Sequence, residues 1–193
     1  MYILFFWFIL LSLFFGIPGA YFMYMKNRSS KPWNLIINND YRPLLTIIIP
    51  AHNEEKTIQY KLKNTIRVQY PKDKIEILLI NDASTDETLT KINQFIAENP
   101  QSNIKVFSMQ QQQGKIKSLN FALKNSKNDV VIVSDADCFW PSDILMKALP
   151  LLSDPTVGAV AGRESLLNTD TSWNIEGELF YGNNIQLIRV GES

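Results

Sequence analysis

The chain has 193 residues, 46% of them hydrophobic, which suits one domain of ordinary size with a real core and excludes a disordered polymer. Lysine plus arginine and aspartate plus glutamate both number 19, so no charge excess points to nucleic acid or another polyanion as a partner. The single cysteine, Cys138, excludes an intramolecular disulfide and a cysteine zinc cluster, and fits a reducing compartment.

The N-terminus departs from this ordinary composition. Met1 to Met25 carries no charged side chain and is long enough to span a bilayer, so residues 1–25 read as a transmembrane anchor. A cleaved signal peptide competes, with Gly19-Ala20 as its cleavage region, but the charged leader is missing and the apolar run continues past that point. Gly16, Pro18 and Gly19 predict a kink or break in the helix. Lys26, Arg28 and Lys31 follow with no acid before Asp40, an asymmetry that predicts a cytoplasmic location for the rest of the chain. Residues 26–43 read as a basic juxtamembrane linker, with Trp33 suited to the headgroup layer.

From Leu44 onward, short apolar runs alternate with segments of helical period, the pattern of β-α units in a mostly parallel sheet. Leu44 to Ile49 predicts a strand buried on both faces, and Ile58, Leu62 and Ile66 mark the helix after it. Ile75 to Ile80 predicts a second strand. Ser84 with Glu87 is a candidate capping box for the helix that carries Leu89, Ile92 and Phe95. Ile104 to Phe107 predicts a third strand, and Ile116, Leu119 and Leu123 mark a third helix. Val130 to Val133 predicts a fourth strand that runs directly into Asp135. Ile144 to Leu152 reads as helical, Val157 to Ala161 as a strand, and Trp173 to Val190 as a weak helix interrupted by Gly177 and Gly182.

In an open parallel sheet, ligands bind beyond the carboxyl ends of the strands, so the polar residues after each apolar run are the ones to weigh. They are Pro50-Ala51-His52-Asn53-Glu54-Glu55, Asn81-Asp82-Ala83-Ser84-Thr85-Asp86 and Asp135-Ala136-Asp137. Each taken alone also fits helix capping by Asn, Asp or Ser. Two carboxylates one residue apart at a strand end can converge on a hard divalent cation, which would neutralise a diphosphate and activate it as a leaving group. Gly114-Lys115 adds a pliant backbone and a cation suited to phosphate.

Four motifs thus occur in order: Pro50 to Glu55, Asn81 to Asp86, Gly114-Lys115 with Ser118-Leu119-Asn120, and Asp135 to Asp137. Over about Leu44 to Gly162 the chain resembles family 2 glycosyltransferases of the GT-A fold, the group that includes membrane polysaccharide synthases and dolichyl-phosphate sugar synthases. The resemblance implies a Rossmann-like, mostly parallel sheet flanked by helices, with residues 44–193 as the nucleotide-sugar-binding domain. It implies that Pro50, Ala51, Asn53 and Glu54 lie beside the nucleotide, with Ala51 offering backbone contacts and Glu54 near the base or ribose. Asp82 is implied to hold the base and Lys115 to sit near the diphosphate or donor sugar. Asp135 is implied to contact the ribose or a metal-bound water, and Asp137 to ligate Mn²⁺ or Mg²⁺ directly. Many relatives carry two aspartates where this chain has Asn81-Asp82, and an alanine is commoner at Ser118.

The resemblance also implies what is missing. The acidic motif that supplies the general base, and the Gln-x-x-Arg-Trp motif of processive members, are expected beyond Ser193, and Glu176 and Glu178 read better as solvated helix residues. The catalytic base is therefore unassigned, and the chain reads as truncated. His52 is read as a support for the nucleotide loop and Cys138 as a small buried hydrophobe. Arg163, Trp173 and Tyr181 are unassigned.

The leading expectation is a metal-dependent, inverting glycosyltransferase at the membrane, passing a sugar from a nucleotide-sugar donor, a uridine diphosphate sugar in first place, to a glycan or lipid-linked acceptor. The alternative is a nucleotide-sugar-binding or scaffold fragment of a synthase. A nucleotidyltransferase ranks below both, because the glycine-rich loop with a following Arg is absent after Leu44 to Ile49.

Overall fold

The structure is a computed structural model and describes residues 2–162. The expectations at Arg163, Trp173, Glu176, Glu178 and Tyr181, and the weak helix from Trp173 to Val190, lie outside the described residues.

The N-terminal segment is helical from Tyr2 to Ser29, and it is long and apolar enough to cross a membrane. Helix α1 (Tyr2–Leu11) passes through a π-helical turn (Ser12–Gly16) into α2 (Ile17–Ser29). Pro18 has no N–H to give the preceding turn, and the widened turn just ahead of it absorbs that loss. The break predicted at Gly16, Pro18 and Gly19 is therefore a change of helical pitch without loss of the helix.

Residues 36–161 form a separate compact unit. Its elements are β1 (Leu45–Ala51), α3 (Ile58–Ile66), β2 (Ile75–Asn81), α4 (Thr88–Glu98), β3 (Ile104–Ser108), α5 (Lys115–Asn125), β4 (Val130–Val133) and α6 (Ile144–Ala148), the last continued by a 3₁₀ turn (Leu149–Ser153). The four strands are parallel in the order β3-β2-β1-β4. Chain order reverses at β1, so the crevice between the carboxyl ends of β1 and β4 is where such a sheet places a ligand.

The side-chain period of two sorts the sheet cleanly. Leu45, Ile47, Ile49, Ile77 and Leu79 pack with Ile58 and Leu62 of α3, Ile92 and Phe95 of α4, and Leu145 of α6. Ile48, Leu78 and Ile80 point to the other face, against Ala122 and Leu119 of α5. Burial on both faces explains why β1 and β2 read as nearly continuous apolar runs, whereas β3 and β4 are only partly buried.

Three expectations need correction. The helix read from Ile116, Leu119 and Leu123 exists, but Ile116 and Leu123 are exposed and the wholly buried residues of α5 are Ser118 and Ala122. Small side chains there let the helix lie close to the sheet. Ser84 and Glu87 form no capping box: α4 begins at Thr88, whose N–H is accepted by Asp86 Oδ1 at 3.0 Å. Val157 to Ala161 is not a strand, because an apolar run becomes one only when a neighbouring edge accepts its hydrogen bonds, and it has no such partner among the described residues.

The second half of the segment read as a linker is tied to the domain. The Ile36 amide donates to Asp154 Oδ2 at 2.8 Å, the Asn38 amide to Ser153 Oγ at 2.8 Å, and Tyr70 Oη to the Pro43 carbonyl at 2.6 Å.

Candidate functional site

The loops after β1 and β2 lie side by side and are stitched together by their own polar groups. The Asn53 amide donates to Ser84 Oγ at 3.0 Å, and Asn53 Oδ1 accepts the Thr85 amide at 2.8 Å. The Glu54 amide donates to Thr88 Oγ1 at 2.8 Å, and the Glu55 amide to Asp86 Oδ2 at 3.1 Å. The Glu87 amide returns a bond to Glu55 Oε2 at 3.2 Å. Asn53 and Ala83 sit at φ of 55° and 54°, the left-handed region, which turns each loop sharply enough for the pairing.

Asp82 is nearly buried, and its carboxylate carries the loop ahead of α5: Oδ1 accepts the Gln113 amide at 2.9 Å and Oδ2 the Gly114 amide at 2.7 Å. Gly114 has φ of 87° and ψ of 160°, a conformation essentially reserved for glycine. His52 Nδ1 lies 2.8 Å from the Asp82 carbonyl, and because a carbonyl only accepts, the proton is on Nδ1.

Past the loop, Lys115 opens α5 and reaches across to Asp135, its ammonium 2.6 Å from Oδ1 and 2.8 Å from Oδ2. Hydrogen bonding to that carboxylate raises the Lys115 pKa, and the charges of Asp135, Asp137 and Cys138 act in the same direction against burial. One ligand atom each from Asp135, Asp137 and Cys138 lies within 4.8 Å of the others. Asp135 is committed to Lys115 whereas Asp137 is exposed, an asymmetry that suits one direct and one indirect carboxylate contact to a cation.

A cleft of about 270 Å³ joins these parts, lined by Pro50, Ala51, His52, Glu54, Asp82, Lys115, Ser118, Asp135, Ala136 and Asp137. Of the residues singled out in the sequence, Pro50, Ala51, Glu54, Asp82, Lys115, Asp135 and Asp137 come together there. Asn53 is not among the lining residues; its side chain serves the loop pairing. The floor is buried at Ala51, Asp82, Ser118 and Ala136, and the charged rim at Lys115, Asp135 and Asp137 is open. Such a division suits a flat base below and a hydrated diphosphate above. Ser118 Oγ is buried with no hydrogen-bond partner.

The sequence reading missed Lys61. This lysine of α3 is wholly buried, donates to Ser134 Oγ and, at 2.6 Å, to the Cys138 carbonyl, and stands 4.5 Å from the Trp140 ring centroid. Burial pushes its pKa down to about 8, while Cys138, Asp135 and Asp137 oppose the shift. One turn later, Asn64 brackets Trp140, donating to its carbonyl and accepting its amide, both at 2.8 Å. The acidic turn is thus clasped from below by α3.

A parallel sheet of this order, with an acid pair beyond β4 and a polar loop beyond β1 sharing one cleft, is an open α/β domain with its candidate ligand site at the carboxyl ends of the strands. The chain belongs to glycosyl transferase family 2, whose pattern it matches over residues 46–187. It is 35% identical to the probable glycosyltransferase YdaM of Bacillus subtilis over 167 residues, 84% of this chain and 39% of that protein. It is 31% identical to the beta-monoglucosyldiacylglycerol synthase of a Nostoc species over 71% of this chain and 29% of that enzyme. Among solved structures it is similar to the mannosyltransferase PcManGT from Pyrobaculum calidifontis in complex with GDP-Man and Mn²⁺, at 35% identity and a TM-score of 0.74, covering 78% of this chain and 44% of that one. The fold is therefore of the GT-A type, and the chain spans less than half the length of these relatives.

Proposed function

We propose that this chain is the donor-binding part of a metal-dependent, inverting glycosyltransferase anchored in a membrane by residues 1–25, with residues 44–193 on the cytoplasmic side. The observation that carries the reading is the convergence of Asp135 and Asp137 with Lys115, Asp82 and the Pro50 to Glu54 loop on one cleft at the sheet's switch point. A nucleotide sugar is the donor class that this cleft suits. A uridine diphosphate sugar stands first by resemblance, and GDP-Man, held by PcManGT, is the competing choice. A glycan or lipid-linked acceptor fits the membrane anchor.

Within the cleft, Ala51 offers main-chain groups to the nucleoside and Glu54 lies toward the base or ribose. Glu54 Oε2 is engaged by Thr57 Oγ1 at 2.6 Å and Asp82 by two loop amides, so both bind through their remaining lone pairs. Lys115 exchanges its bond to Asp135 for the diphosphate. Asp137, with Asp135 in support, would hold Mn²⁺ or Mg²⁺. When bound, such an ion stabilises the negative charge of the departing nucleoside diphosphate.

A second reading, donor binding without transfer, is favoured by one observation. The carboxylates of Glu54, Asp82 and Asp135 are engaged and Asp137 is assigned to the cation, so among the described residues the cleft presents no further acid to deprotonate an acceptor. Membranes carrying the chain, incubated with UDP- or GDP-sugars labelled in the sugar, distinguish the readings. Mn²⁺-dependent label in lipid or polymer supports transfer; bound but unreacted donor supports the second reading.

A further inference from the structure

Lys61 needs an explanation that its hydrogen bonds do not give. Its two acceptors, Ser134 Oγ and the Cys138 carbonyl, bracket Asp135-Ala136-Asp137, and neither is a carboxylate. A neutral amide donor could satisfy both. Burying an ammonium is far more costly than burying an amide, so the charge itself must contribute something at this position. Besides facing the Trp140 ring at 4.5 Å, the ammonium is held by Ser134 and Cys138 at the two ends of the turn, which sets its charge beside Asp135 and Asp137. On the open side of the turn, Lys115 pairs with Asp135. Two ammoniums, one buried and one exposed, thus face two carboxylates, and the turn is close to neutral without any cation.

We propose that Lys61 is a built-in countercharge of the acidic turn, holding Asp135 and Asp137 together and lowering their affinity for a free divalent cation. The cation then enters with the diphosphate, whose negative charge compensates for it. Lys61 acts as a positioning residue beneath the site, and the inference rests on the reading of Asp135 and Asp137 as the cation site.

The test is Mn²⁺ binding to the full chain in detergent micelles, followed by electron paramagnetic resonance without nucleotide. Lys61→Gln removes the charge, and with it the cation–π contact to Trp140, but keeps a neutral amide donor, one atom shorter, on the side of Ser134 and Cys138. Lys61→Met removes charge and donor together at similar volume. Both variants are expected to bind Mn²⁺ at least about tenfold more tightly, the value for a unit charge roughly 6 Å from a divalent ion even when it is screened as in bulk water. Asn64→Ala loosens the same clasp without changing charge and is expected to give no tightening. Unchanged or weaker binding in both Lys61 variants, or equal tightening in Asn64→Ala, overturns the proposal. Asp137→Ala separates the two levels: if it binds Mn²⁺ as well as the wild type, the acid pair is not the cation site and the donor-site reading falls together with this inference.

Discussion

The carboxylate of Asp82 accepts the Gly114 amide at 2.7 Å, so the aspartate that follows β2 also fixes the entry to α5, which begins at Lys115. A residue expected to hold the base is thereby also a loop anchor. Asp82→Ala leaves the Gln113 and Gly114 amides without their charged acceptor and is expected to destabilise the domain by about 2–3 kcal/mol. Urea unfolding of the chain in detergent measures it. A loss below about 0.5 kcal/mol, the ordinary scatter of surface substitutions, would mean the loop is held by something else.

Gly114→Ala tests the same loop through its backbone. No atom lies within 4 Å of the added Cβ, so the cost is that of forcing alanine to a φ of 87°, about 1–3 kcal/mol. Thermal unfolding is expected to shift downward, and a neutral result would show that the turn relaxes to a negative φ.

Ala83→Gly should act in the opposite direction. Alanine at a φ of 54° carries left-handed strain of about 1–2 kcal/mol, partly offset in the variant by the greater entropy lost on folding a glycine. A net gain of about 0.5–1 kcal/mol is expected in the same unfolding measurement.

Ser118→Ala removes a buried hydroxyl that has no partner. The ligand-free protein is expected to gain about 1 kcal/mol, since an unsatisfied buried polar group costs roughly 1–3 kcal/mol. A loss of stability would place a hydrogen bond on that hydroxyl.

Glu76 provides a pH dependence far from the acidic turn. Burial pushes its pKa up, but bonds from Lys105, Thr46 and the Lys127 amide outweigh burial and leave it below the ordinary 4.5. A carboxyl depressed in the folded state stabilises the fold above its unfolded value, and that contribution is lost as pH falls through the lower folded value. The melting temperature should therefore decline below about pH 4.5, and Glu76→Gln should flatten part of that decline. An unchanged acid limb in the variant would show that Glu76 does not carry it.

The strands were legible because each is a short run rich in apolar residues that ends in a polar turn, with β1 and β2 buried on both faces: Leu45 to Ala51 and Val130 to Val133 announce both the sheet and the cleft. The roles of the polar turn residues were less legible. Asn53 and Ser84 look alike as caps, loop staples or ligands until their partners are known, and those partners lie about thirty positions apart. Lys61 was invisible because a lysine on an amphipathic helix is assigned to solvent by default; only the approach of the Ser134 to Trp140 turn buries it. On α5, small residues rather than the apolar Ile116 and Leu123 face the sheet, a choice set by how close the helix lies.

The most direct test is calorimetric titration of the full chain in detergent with UDP and with GDP, with and without Mn²⁺, beside Asp137→Ala. One nucleotide is expected to bind in a Mn²⁺-dependent manner, and Asp137→Ala is expected to abolish that dependence. Binding of neither nucleotide by folded protein, or binding indifferent to both Mn²⁺ and Asp137, would contradict the assignment of this cleft as a metal-dependent nucleotide-sugar site.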